Sequence, residues 1–146
     1  MADEPYCPWA DLGQRFPDLH AEVSDIWPAR AGVDLDAGII LIDKRLNRAQ
    51  GRSALAHEIA HLDLRHQKWH VPRVDLRQER DADALAARRL VDVRSLADAY
   101  IWTNDDASIA EILNVDISTL HARFAILHPS EEALIEARMA RVEHVA

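Results

Sequence analysis

The sequence predicts a mostly helical α+β protein with one small sheet. Three observations predict it. From about residue 52 onwards, apolar residues recur at helical spacing in one segment after another. A single β-branched run, Ile39-Ile40-Leu41-Ile42, has the length and composition of a buried strand. The chain has 146 residues, 49% of them apolar, which is enough for one compact core with at most a short appendage.

Taken in order, residues 1–17 read as an irregular arm, punctuated by Pro5, Pro8 and Pro17. A helix is expected from Asp18 to Trp27, with Leu19, Val23, Ile26 and Trp27 on one face and Pro28 as its stop. Gly32 and Gly38 bracket a turn before the Ile39–Ile42 strand. The next helix is expected from Arg52 to Trp69, with Ser53 near its start and Leu55, Ile59 and Leu62 facing inward. Pro72 breaks the chain. A helix then runs from Leu76 to Leu90, with Ala82, Leu85, Ala86 and Leu90 at core spacing, and a shorter one from Ser95 to Trp102. Asn104-Asp105-Asp106 forms a turn and cap. Helices Ala107–Asn114 and Ser118–Leu127 are joined by Val115-Asp116-Ile117. Pro129-Ser130 opens a last helix with Leu134, Ile135, Met139 and Val142 in one stripe. The expected division is a core of residues 1–103 and a C-terminal helical region of residues 104–146 packed on it. There is no internal repeat.

Composition removes several functions. A net charge of −8 argues against general nucleic-acid binding, which needs a basic surface, and suits a basic protein partner or substrate. No apolar run is long enough to span a bilayer. Met1-Ala2-Asp3-Glu4-Pro5 is acidic and lacks the basic and apolar regions of a signal peptide, so the cytoplasm is the expected compartment. Cys7 is the only cysteine, which leaves no internal disulfide. It reads as a small apolar residue or free thiol rather than a thiolate held against a metal.

The chemistry concentrates in His57-Glu58-Ile59-Ala60-His61, an H-E-x-x-H pattern within a predicted helix. Residues four apart on a helix differ in direction by only about 40°. His57 and His61 therefore point the same way and can share one zinc ion, with Glu58 beside them to act on a water. A partly buried histidine-rich helix is the bland alternative, so the surroundings matter.

Catalytic zinc takes three protein ligands and keeps a position for water. The continuation H-x-x-G-x-x-H is excluded, because Leu64 and Gln67 occupy the glycine and final histidine positions. His66 and His70 are carried along and around the helix, and read as surface histidines. Glu79, eighteen residues after His61 on the next helix, is the better third ligand. Asp83, one turn on, can accept the second N–H of a metal-bound imidazole. Arg77, Arg80, Arg88 and Arg89 could pair with these acids instead; the two histidines tip the reading towards metal.

Leu55-Ala56-His57-Glu58-Ile59-Ala60-His61-Leu62, followed by Glu79, Ala82-Asp83, Leu85-Ala86-Ala87 and Leu90-Val91, resembles the ImmA/IrrE family of zinc metallopeptidases. Gly38-Ile39-Ile40-Leu41-Ile42 is similar to the family's strand before its active-site helix. The resemblance covers about residues 20–128 and is specific over about 55–91. It implies a zincin-like metallopeptidase core with a small β-sheet and C-terminal helices. It also implies zinc on His57, His61 and Glu79, and Glu58 as the catalytic acid/base. The implied substrate is a helix-turn-helix DNA-binding repressor, whose cleavage releases phage, mobile-element or stress genes. Four positions depart from the family pattern. Ala60 replaces a frequent glycine, Leu85 stands where phenylalanine is common, no proline follows Leu90, and the histidine after the motif falls one place late, at His66.

In this reading Glu58 takes a proton from water and passes it to the leaving amine. Tyr100, His66, His70 and His121 are all open as oxyanion donors. Two rivals remain. A non-catalytic metal-bound docking protein would need the same ligands. A DNA-binding regulator is suggested by the helix-turn-helix cadence of Ser108–Leu120 with Phe124 and Leu127. Charge weighs against the second: Asn104 to His128 holds Asp105, Asp106, Glu111 and Asp116 but only Arg123 as a base.

Overall fold

The computed structural model describes residues 4–66 and 75–145. Helix α1 (Pro8–Arg15) precedes strands β1 (His20–Ser24), β2 (Ala31–Asp34) and β3 (Ile39–Asp43). Helices α2 (Arg48–Asp63), α3 (Leu76–Leu90), α4 (Val93–Trp102), α5 (Asp106–Leu113), α6 (Ile117–Ala125) and α7 (Pro129–Val145) follow. This is an α+β architecture, mostly helical, with one small sheet among the described residues. None of the described helices is long and apolar enough to cross a membrane.

The sheet order is β1-β3-β2. Central β3 runs parallel to β1, from His20↔Ile39 to Ser24↔Asp43, and antiparallel to β2. The β2–β3 turn closes at Gly38, whose φ is +70°; a Cβ there would lie 2.8 Å from the Asp18 carbonyl oxygen. Only glycine meets both conditions without strain.

Three expectations fail at the N-terminal end. The segment expected as a helix from Asp18 to Trp27 is strand β1 and the loop after it. Half of the apolar face assigned to that helix is left in solvent: Val23 is 68% and Trp27 67% exposed. Leu19 packs inward together with Ala21, two residues on, which is strand spacing. An isolated ten-residue helix is marginal in water, whereas apolar β3 has two backbone edges to satisfy, and β1 supplies one of the partners. Gly32, expected to open a turn that Gly38 closes, lies in β2 and pairs with Leu41 on the other edge of β3. The arm expected to be irregular contains α1, which starts at Pro8. Proline is at home at the first helical position, where no N–H is needed, so here it opens a helix.

Helix α2 begins at Arg48, four residues before the expected start. Asn47 and Gln50 form a reciprocal capping box: the Gln50 N–H donates to Asn47 Oδ1, and the Asn47 N–H to Gln50 Oε1, each at 2.9 Å. Ser53 is therefore interior to the helix, and its hydroxyl accepts the Asp116 N–H at 3.1 Å. The expected end at Trp69, and the Pro72 break, lie outside the described residues. α3 has the expected bounds, and α4 to α7 begin within two residues of expectation.

The core has two parts, with α2 between them. Leu55 and Ile59 pack with Leu12, Ile40 and Ile42 against the sheet. Ala56 and Ala60 pack with Ala82, Ala86, Leu90, Leu96, Ile109 and Leu120 among the helices. Small side chains on both partners let the α2 and α3 backbones approach closely.

Candidate metal centre

The α-helical period of α2 stacks His57 above His61, and their Nε2 atoms lie 2.9 Å apart. Helix α3 is capped by Asp75, whose carboxylate accepts the N–H groups of Arg77 and Gln78. That start puts Glu79 in the first turn. Its Oε2 lies 3.1 Å from His57 Nε2, and its Oε1 lies 3.1 Å from His61 Nε2. One donor atom from each of His57, His61 and Glu79 lies within 4.8 Å of the others, so these residues could hold a metal ion. Two imidazole nitrogens and a carboxylate facing one point need a cation between them, a proton or a metal. The donor set is one that zinc accepts.

The outward nitrogens are also engaged. His57 Nδ1 lies 2.8 Å from Asp83 Oδ1, one turn beyond Glu79 on α3. His61 Nδ1 lies 2.9 Å from His66 Nδ1. Burial of His57 disfavours its charged form, but the Asp83 hydrogen bond and the charges of Asp83, Glu58 and Glu79 outweigh it, so its pKa is raised. Glu58 itself is buried, at 8% exposure, on α2 beside His57.

A family model described as the IrrE N-terminal-like domain, a peptidase family, matches residues 15–125, from the end of α1 to the end of α6. The chain belongs to this family. No curated protein and no solved structure matches it. Membership in a peptidase family agrees with a cluster that could hold a metal ion, with a buried carboxylate, Glu58, next to His57.

The remaining candidates are scattered. Tyr100 sits beside Phe124, with ring centroids 6.2 Å apart. His121 pairs with Asp106 at 3.0 Å. His70 lies outside the described residues. Cys7 is an exposed free thiol at the start of α1. In the α5–α6 pair, Asn114 takes the left-handed conformation at the α5 end, and Val115 and Leu120 are buried. Arg123 is only 3% exposed; its Nε donates to the Val91 carbonyl at 2.8 Å, and its Nη2 meets Glu131 at 2.7 Å.

Sequence reasoning missed the contact made by His66. It comes from a left-handed turn at Arg65, φ +54°, and arginine carries no signal for that conformation. It also missed the charge cluster that ties α1 to the helices. Arg15 donates to Asp11 and Asp63, and Arg89 meets Asp63 at 2.7 Å. Residues 48 apart in sequence carry no periodic signal of pairing.

Proposed function

We propose that the protein is a zinc-dependent endopeptidase that cuts one site in a protein substrate. The observation that carries this reading is the convergence of His57, His61 and Glu79 donor atoms within 4.8 Å, with buried Glu58 adjacent. Zinc bound there would make a water nucleophilic near neutral pH and polarise the scissile carbonyl. Glu58 accepts the proton of the attacking water as the new C–O bond forms. It returns a proton to the amine nitrogen as the C–N bond breaks. Asp83 holds the His57 ring through Nδ1, leaving Nε2 directed at Glu79.

The substrate we propose is a helix-turn-helix repressor from a phage, mobile element or stress regulon. This comes from the family resemblance, and the net charge of −8 suits a basic partner. Duplex DNA fits the chain less well. Arg123, the one Lys or Arg between Asn104 and His128, is committed to Val91 and Glu131 inside the protein.

Metal content and turnover test the reading together. The wild type should bind about one zinc per chain and Glu79→Ala far less. Glu58→Gln should keep its zinc and lose cleavage of the cognate repressor. A fully active Glu58→Gln protein would remove Glu58 from the mechanism. A folded wild type that takes up no zinc when supplied with it would overturn the metal centre.

A further inference from the structure

The C-terminal end of α2 does more than stop a helix. The Leu64 N–H reaches the Ala60 carbonyl at 2.9 Å, the Arg65 N–H reaches Leu62 at 3.2 Å, and the His66 N–H reaches the His61 carbonyl at 3.1 Å. Between them Arg65 takes φ +54°, which is unfavourable for a residue with a Cβ. The turn folds the chain back, so that the His66 ring stands edge-on to His61 with centroids 5.1 Å apart. Their Nδ1 atoms come within 2.9 Å.

We infer that His66 is a positioning residue for the metal centre, the acceptor that keeps His61 Nε2 open to the metal. The inference rests on the zinc reading above and extends it to a residue outside the three ligands.

Proton placement makes the argument. Two nitrogens 2.9 Å apart share one proton, so one donates and the other accepts. If His66 Nδ1 donated, neutral His61 would carry its own proton on Nε2. That nitrogen faces His57 and Glu79 and would be closed to a metal. If His61 Nδ1 donates, Nε2 presents its lone pair to the centre, and His66 carries its proton on Nε2. Only the second arrangement is compatible with three ligands. The metal-ligating tautomer of His61 is therefore the one that His66 can stabilise. His57 has the same need met differently, by the Asp83 carboxylate at 2.8 Å. An anion pulls harder on an N–H than a neutral imidazole does. The two ligand imidazoles are thus held by unequal acceptors, the weaker one behind His61.

The test uses the full chain and two variants, His66→Ala and His66→Asn. Asparagine places Oδ1 as many bonds from the backbone as His Nδ1, so it restores an acceptor without a ring. Zinc affinity is measured by competition with a chromophoric chelator. The visible spectrum is recorded after cobalt substitution, and the metal-free proteins are melted as a control. We expect His66→Ala to weaken zinc binding roughly 10- to 100-fold and to change the cobalt spectrum. His66→Asn should recover most of both, and all three metal-free proteins should melt together. Equal zinc affinity in wild type and His66→Ala would overturn the role of His66 and leave the centre standing. A loss that His66→Asn does not recover would mark a purely structural part for the ring and would also overturn it. Absence of zinc binding by the folded wild type would overturn both readings.

Discussion

The two faces of α2 are built from different materials. Towards the sheet it presents Leu55 and Ile59, which meet Leu12, Ile40 and Ile42. Towards the helices it presents Ala56 and Ala60, which meet Ala82 and Ala86 of α3. Large branched side chains fill a layer and contribute burial, about 1.5–3 kcal/mol for each fully buried one. Alanines contribute less burial but keep the helix axes close. The residues that could hold a metal ion sit on the alanine side. Glu79 and Asp83 have short side chains and reach His57 and His61 only because α3 lies near. The sheet face supplies stability and the alanine face supplies distance.

Substitutions on the two faces should separate these roles. Ile59→Ala opens a cavity against the sheet and should cost about 2–5 kcal/mol in denaturant unfolding. Zinc affinity of the protein that remains folded should change little. Ala82→Leu overfills the other face and should cost about 1–3 kcal/mol. Its zinc affinity should fall well below that of Ile59→Ala, because α3 carries Glu79 away from the histidines. Equal zinc loss in both variants would break the distinction between the faces.

A smaller effect tests how α1 is fastened. The Tyr6 hydroxyl donates to Asp11 at 2.6 Å, and Arg15 bridges Asp11 to Asp63. Arg15→Ala should lower stability by about 0.2–1 kcal/mol for each half-exposed pair. The Arg15 hydrogen bonds hold the Asp11 and Asp63 carboxyls below the ordinary value of 3.8. Depressed carboxylates add stability that is present above that value and is lost as pH falls through their folded values. Wild-type melting temperature should thus drop more steeply than that of Arg15→Ala between about pH 5 and pH 2. Parallel curves would show that the cluster contributes nothing measurable.

Legibility differed along the chain for physical reasons. That His57 shares a face with His61, and Glu79 with Asp83, is readable because the helical period fixes it within each helix; that the two pairs meet is a matter of how α3 packs on α2. α3 is readable because its Ala82, Leu85, Ala86, Leu90 pattern and its Asp75 cap agree with each other. The start of α2 could have been read too, since Asn47 and Gln50 carry the capping-box spacing. β1 could not be read locally. Leu19, Val23, Ile26 and Trp27 fit a helical face, and only pairing with β3 makes the strand the better state.

By itself the sequence determined a mostly helical α+β class, the strand at residues 39–42, and a helix carrying His57, Glu58 and His61, because these rest on spacings of a few residues. The tertiary structure decided the sheet order, the strand state of residues 20–24, the distance between α2 and α3, and the return of His66 to His61. Backbone pairing and close packing join residues far apart in the chain, or turn on a single unfavourable φ. Neither leaves a periodic trace in the amino acids.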